Sequence, residues 1–313
     1  MKKIFYYNIT YRCNQDCIFC AADHGRNDSN QEIPLHDFIR DLGKNNIGSG
    51  DRVIINGGEP TVHKNFLEFL NAVHDRGAYI DLFTNGQRLS NYIFCKKVCS
   101  YNPILIRIPL FGAEGSYHDF LTGTKGSFEN VIQAIRNILS IRSEAVSSNI
   151  DLEIKLLMSK ATNNENLSIF RKITKIFPNH DYYFSLNPLL ISERVRNVHE
   201  IMFSTYTTSI KKAKLLLDEA KEKQWEISTN LIPLCLLDKK DIQFILQHEA
   251  SELLEYYTDP QSSFEFHGEK HSDLCDRCIL SKYCSHFPES YSNFYGNSEV
   301  RPFSIDDIKD CQY

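Results

Sequence analysis

The chain has no apolar run near the roughly 18 residues that a membrane-spanning helix needs, so no segment is expected to cross a bilayer. Its N-terminus, MKKIFYYNIT, offers two lysines but neither a long apolar stretch nor a small-residue cleavage site, and reads as a first strand rather than an export signal. There is no basic excess. Against 40 Asp and Glu stand 35 Lys and Arg, with no basic stripe, which leaves no electrostatic footprint for nucleic acid or an anionic membrane. Lys211, Lys212 and Lys214 sit together, but on an expected helix, as its solvated face. Low-complexity tracts and internal repeats are also absent from the sequence. What the chain does have is ten cysteines, and without an export signal these argue for metal ligation in a reducing compartment rather than a disulfide framework. The expected location is the cytoplasm.

Short β-branched runs alternate with amphipathic stretches over the first 225 residues. Strands are expected at 4–10, 52–56, 78–84, 104–110, 151–158 and 182–187. Helices are expected at 34–44, 65–75, 90–101, 127–141, 163–177 and 205–224. Six strand–helix units in succession predict parallel strands joined by right-handed crossovers. The fold class is therefore α/β, an open or partial (β/α)6 TIM-like barrel. Several strands carry polar residues on the face opposite their apolar set: Arg107 in the fourth, Asp151, Glu153 and Lys155 in the fifth, Tyr183, Ser185 and Asn187 in the sixth. These either line a polar cavity or neutralise one another as a structural network, Arg107 and Lys155 against Glu153.

Directly after the first strand come Cys13, Cys17 and Cys20, at C-x3-C-x2-C spacing. Three such thiolates can hold three irons of a cubic [4Fe-4S] cluster and leave the fourth without a protein ligand, which points to a bound substrate or cofactor. A zinc knuckle is the alternative. The second strand ends in Gly57-Gly58-Glu59-Pro60, where two glycines permit close backbone approach and Pro60 stiffens the exit. The third ends in Phe83-Thr84-Asn85-Gly86, and His118-Asp119 with Gly123 to Phe128 (GTKGSF) follows the fourth. The cysteine pattern, with Phe19 before its third member, and these later segments in this order resemble the radical S-adenosylmethionine (radical SAM) superfamily. The resemblance spans about the first 225 residues. It implies that the open iron is chelated by SAM, that Gly57, Gly58, Glu59 and Pro60 hold its amino group, and that Thr84 and Asn85 lie near it. Phe19, Arg107, Lys155 and Asn187 are the remaining expected cofactor contacts. Pro109 stands where many relatives carry a small polar residue.

From about residue 225 the rhythm changes, and residues 226–313 are expected to form a small iron–sulfur domain. The stretch 227–237 reads as a strand carrying Cys235, and 241–256 as a helix; Cys275, Cys278 and Cys284 follow at C-x2-C-x5-C. Four thiolates suffice for an auxiliary [4Fe-4S] cluster. Their arrangement resembles the shortened, single-cluster ("twitch") form of the SPASM extensions, with Pro288 where a two-cluster version would have another cysteine. A four-cysteine zinc site is the alternative, and Cys311 could replace Cys235. His267, His271 and His286 are expected at the surface. Cys95 and Cys99, four apart on a helix, are expected to be buried and without chemistry.

The family chemistry implied is reductive cleavage of SAM to methionine and a 5′-deoxyadenosyl radical that abstracts hydrogen from substrate, with the auxiliary cluster accepting an electron. A ribosomally made peptide is the expected substrate, a small natural product or cofactor precursor the alternative. The first strand lies at the start of the chain, so a separate peptide-recognition protein is expected, along with an electron donor such as flavodoxin or ferredoxin. A molybdopterin-type cyclase would bring three C-terminal cysteines at wider spacing and a glycine-rich tail; here the chain ends Asp310-Cys311-Gln312-Tyr313. A non-catalytic iron–sulfur or zinc scaffold is the rival from another class.

Overall fold

A computed structural model of the protein describes residues 3–20, 32–144, 149–229, 232–237, 273–281 and 284–308. The expected helix at 241–256, Cys311, His267 and His271 lie outside them. Seven strands form one sheet: β1 (Ile4–Thr10), β2 (Arg52–Gly57), β3 (Tyr79–Phe83), β4 (Ile104–Leu110), β5 (Ile150–Met158), β6 (Tyr183–Pro188) and β7 (Ile227–Ser228). They lie side by side in chain order, every neighbouring pair parallel, with β1 and β7 as the edges. The result is a parallel α/β partial barrel. Its seventh strand comes from the stretch 227–237, expected as a strand of the C-terminal domain rather than of the barrel.

The crossovers are α1 (Leu35–Lys44), α2 (Phe66–His74), α3 (Tyr92–Cys99), α4 (Gly115–Thr122), α5 (Ser127–Glu144), α6 (Glu165–Ile176), α7 (Glu193–Asn197), α8 (His199–Met202) and α9 (Tyr206–Glu222). Local chemistry explains their ends. Pro34, with fixed φ, precedes α1; the Asn91 side chain accepts from Phe94 N at the start of α3, and Thr205 does the same for Thr208 N at α9. Gly123 ends α4 with φ 61, a left-handed conformation that costs other residues strain.

The alternation read in the sequence decides which way each strand faces. Ile104, Ile106 and Ile108 of β4, Leu152, Ile154 and Leu156 of β5, and Phe184 and Leu186 of β6 are buried in one core with Leu70, Val98, Ile135, Phe170 and Leu216 from the helices. Each such side chain contributes about 1.5–3 kcal/mol by leaving water. Cys95 and Cys99 are buried in this core, as expected of small apolar residues. The opposite face carries Asp81, Arg107, Glu153, Lys155, Ser185 and Asn187, and forms the barrel interior.

Beyond residue 225 the chain first continues the barrel. β7 pairs with β6, and Ile232, Leu234, Leu237 and Leu280 join the main core. The strand expected at 227–237 is only two residues long, and Cys235 sits on a 3-10 turn, Leu234–Leu236, following Pro233. A Pro at that point cannot donate to a ladder, so pairing stops before it. Among the described residues no helix is long and apolar enough to cross a membrane.

Candidate active site

The C-terminal ends of β1, β2 and β3 converge on one small region. Cys13, Cys17 and Cys20 lie on the loop leaving β1, each half-buried. Glycine explains how the GGEP segment reaches this loop. A Cβ on Gly57 would sit 2.1 Å from the Thr10 carbonyl oxygen, and one on Gly58 would sit 2.4 and 2.5 Å from those of Tyr11 and Arg12. No other residue fits there. The close approach is fastened by Gly58 N donating to Thr10 O (2.7 Å) and Glu59 N to Arg12 O (2.8 Å).

Glu59 is 1 % exposed, and its carboxylate is surrounded by protein donors. Oε1 accepts from Thr61 N (3.1 Å), Thr61 Oγ1 (2.5 Å) and Thr84 Oγ1 (2.7 Å), while Oε2 accepts from Asn85 N (2.6 Å). Burial raises its pKa, and these bonds from Thr61, Asn85 and Thr84 oppose the rise. In this geometry Glu59 ties the end of β2 to the end of β3. Pro60 is buried and starts the 3-10 turn that supplies Thr61. Asn85 then reaches back to the cysteine loop, its Nδ2 donating to Asn14 Oδ1 at 2.8 Å and lying 3.8 Å from Cys13 Sγ. The backbone N–H of Gln15 donates to the same sulfur at 3.4 Å.

Phe19 belongs to a separate apolar cluster with Phe111, Leu121, Leu189, Val195 and Met202, against which Cys17 packs. Its ring meets Phe111 edge-on at 4.7 Å. In the same region His118 is 1 % exposed, accepts from Phe111 N at Nδ1, and is held neutral by burial, which pushes its pKa down to about 4.

Arg107 and Lys155 meet Glu153 in the barrel interior, as the network alternative expected, and Asn187 joins them through Lys155. Arg107 forks onto Asp81, Nε to Oδ1 at 2.7 Å and Nη2 to Oδ2 at 2.9 Å, and donates through Nη1 to Glu153. Glu153 also accepts from Ser185 Oγ (2.5 Å) and Tyr183 OH (3.2 Å). Lys155 Nζ donates to Asn187 Oδ1 at 2.7 Å and lies 3.6 Å from Glu153. Desolvation lowers the Lys155 pKa, with Glu153 opposing. Asp81, the fully buried centre of this network, was missed in the sequence, although a lone carboxylate in Tyr79-Ile80-Asp81-Leu82-Phe83 is itself a signal.

The C-terminal cysteines also come together. Cys235, Cys275, Cys278 and Cys284 line one recess, walled by Leu234, Leu280, Phe287, Val300 and Phe303. Backbone N–H groups point at the sulfurs, among them Leu234 N (3.3 Å) and His286 N (3.4 Å) at Cys284, and Phe303 N (3.3 Å) at Cys278. Burial pushes the Cys284 thiol up to about 12 and raises that of Cys235. His286, expected at the surface, is part of the recess lining and its Nε2 lies 3.1 Å from Ser281 Oγ. Among the described residues no three His, Cys, Asp or Glu side chains converge on a single-ion site. The thiols are gathered into one loop and one recess rather than into a coordination sphere.

Residues 7–156 match the Radical SAM superfamily. The chain carries a radical SAM domain. This domain is similar to mycofactocin maturase MftC of Mycolicibacterium smegmatis, 30% identical over 134 residues that cover 42% of this chain and 33% of the maturase. It is also similar to GTP 3′,8-cyclase of Desulforamulus reducens, 23% identical over 186 residues, or 58% of this chain and 54% of the cyclase. The chain thus spans about a third of the length of the maturases it matches. Among solved structures, anSMEcpe with bound AdoMet superposes with a TM-score of 0.57 at 16% identity, covering 78% of this chain and 66% of that one. Streptococcus suis SuiB bound to precursor peptide SuiA gives 0.54 at 16%, covering 72% and 48%. These structures share the partial-barrel fold. The family implies a [4Fe-4S] cluster and SAM, and the three-thiol loop with a glycine cradle beside it is a donor set that fits them.

Proposed function

We propose that the protein is a radical SAM enzyme that modifies a peptide, with two iron–sulfur sites. Cys13, Cys17 and Cys20 hold the cluster that binds SAM, and Cys235, Cys275, Cys278 and Cys284 hold an auxiliary [4Fe-4S] cluster. The observation that carries the reading is the gathering of three thiols, the Gly57-Gly58 cradle and the Asn85 amide at the C-terminal ends of β1–β3, where ligands of parallel barrels bind. When bound, the cluster and SAM supply one-electron cleavage of the cofactor and hydrogen abstraction from the substrate.

The chain's own residues hold and shield that chemistry. Gly57 and Gly58 let the two loops touch without side chains between them. Glu59, Thr61 and Thr84 fix the angle at which Asn85 faces Cys13. Phe19, Phe111 and Leu121 wall off water beside Cys17. Thr84, Arg107, Lys155 and Asn187 remain cofactor-facing candidates; Arg107 and Lys155 also stabilise the interior through their pairing with Asp81 and Glu153, and Asn187 through Lys155 and Ser185.

The maturase similarity supports a peptide as substrate, and the cyclase similarity supports a small molecule as the second reading. An all-cysteine auxiliary site leaves no open iron, which favours an electron-accepting role there. A flavodoxin or ferredoxin is the proposed donor, and a separate protein presents the peptide. The test is iron, sulfide and zinc content after oxygen-free reconstitution, beside a Cys13/Cys17/Cys20→Ala variant. About eight irons falling to about four supports two clusters; about four falling to none with one zinc retained removes the auxiliary cluster. Iron unchanged by the triple substitution overturns the proposal, and iron without SAM turnover returns the scaffold reading.

A further inference from the structure

The stretch from His118 to Phe128 is closely braced from within. The Asp119 carboxylate accepts from Gly126 N (2.5 Å), Ser127 Oγ (2.9 Å) and Phe128 N (2.9 Å), drawing the α4–α5 connection into one tight turn. Thr124 N closes onto Asp119 O, and the hydroxyls of Thr122 and Ser127 meet at 2.7 Å inside it. The outer edge of that turn lies against the cysteine loop. Asp16 N donates to Thr122 O and Ile18 N to Leu121 O, both at 3.0 Å, a short ladder flanking Cys17. Gly123 sits with φ 61 directly under Asp16, where a Cβ would come within 2.5 Å of the Asp16 carbonyl oxygen and 3.1 Å of its carbon. From the other side Arg194 of α7 donates to the Asp16 carboxylate (2.7 Å), and Ser192, just before that helix, donates its Oγ to Cys20 O (3.1 Å).

We propose that the Asp119-braced turn, with Gly123 at its contact point, is a clamp that sets where Cys17 and Cys20 stand relative to Cys13. Gly123 is then a positioning residue. It acts on the metal through the backbone of residues 16–18 and touches neither cofactor nor substrate. The inference rests on the reading of Cys13, Cys17 and Cys20 as cluster ligands. It adds that their spacing is set in part by an element about a hundred residues away in sequence, through the bonds from Asp16 N to Thr122 O and Ile18 N to Leu121 O.

A second glycine in the same turn provides the control. Gly126 also has positive φ, 79, but a Cβ there meets nothing within 4 Å. Gly123→Ala and Gly126→Ala therefore impose similar backbone strain, and only the first presses on the cysteine loop. In metal-free protein, amide hydrogen exchange at Asp16 and Ile18 should accelerate about tenfold or more in G123A and stay near wild type in G126A. In reconstituted protein, G123A should lose the SAM-induced change in the cluster's electron paramagnetic resonance spectrum, while G126A keeps it. Asp119→Asn adds no atoms and loosens the same turn, so it should raise exchange at both amides by a smaller factor even if G123A fails to fold. Equal behaviour of the two alanine variants, or unchanged Asp16 and Ile18 protection in G123A or D119N, overturns the clamp. Wild-type iron that survives loss of all three cysteines sinks the ligand reading instead, and the metal-free exchange measurement still stands as a test of the clamp.

Discussion

Replacing Arg107 with Met keeps the length of the side chain and removes the guanidinium that joins two buried carboxylates. Asp81 is 0% and Glu153 2% exposed, so neither can recover its lost partner from water. Breaking one member out of a buried ion pair costs about 3–5 kcal/mol. The remaining partners argue for the low end of that range. Arg52 stands 3.7 Å from Asp81, Lys155 stands 3.6 Å from Glu153, and Ser185 and Tyr183 still donate to Glu153. A loss of about 3 kcal/mol, with a urea slope of about 3 kcal/mol/M, lowers the midpoint by about 1 M. The assay is urea unfolding of metal-free protein followed by fluorescence of the single tryptophan. That residue, Trp225, packs against Phe170, Tyr182 and Phe184 and so reports on the barrel. The double variant D81N/R107M leaves Glu153 with Lys155 and no stranded carboxylate, and should recover at least half of the loss. A shift below about 0.3 M for R107M, or a double variant no more stable than the single, would refute the network as the reason these residues lie inside the barrel. A double variant that folds but fails to cleave SAM would show that Arg107 also faces the cofactor.

Further outcomes can be checked alongside. Cys235→Ser should remove about four irons per chain from the reconstituted protein, and Cys311→Ser none, in the same metal analysis. Gly58→Ala pushes a methyl into two backbone carbonyls and should cost at least about 2–3 kcal/mol in urea unfolding. Gly43→Ala in α1, where nothing lies within 4 Å, should instead stabilise by about 0.5–1 kcal/mol. His118 stays neutral in the fold down to about pH 4, whereas the unfolded chain takes up the proton near 6.5. Folded-state stability is therefore lost as pH falls through that interval, by up to about 3 kcal/mol from this group. In His118→Phe the urea midpoint should decline less between pH 6.5 and 4, and equal slopes would reject the assignment.

Much of the barrel could be read from the sequence because its strands obey a simple rule. Ile104, Ile106 and Ile108 alternate with Arg107, and a period of two puts the isoleucines under the helices and Arg107 inside. The cysteine loop and Gly57-Gly58 were legible for a similar reason, since the glycines matter through local backbone approach. Long-range geometry was not. The donors that hold Glu59 include Thr84 and Asn85, about 25 residues on, which no spacing rule connects. The helix α4 went unread because Gly115-Ser116-Tyr117-His118-Asp119 lacks an amphipathic stripe; tertiary contacts with Phe128 and Phe111 stabilise it instead. Cys235 stands on a 3-10 turn rather than a strand, with Pro233 directly before that turn.

The strictly sequential order of the strands sets a timetable for synthesis. Cys13, Cys17 and Cys20 leave the ribosome with the first strand, but Ser192, which fastens Cys20, follows 172 residues later. At about 5–20 residues per second, the thiols wait about 10–30 s for the last of their supports. β2 and the Thr122 edge are available to the loop earlier, but the Ser192 bond to Cys20 and the Arg194 bond to Asp16 close only at the end of that wait. If these thiols hold the cluster as proposed, iron delivery is accordingly a step for the finished barrel. A loop translated early is thus completed by residues translated late.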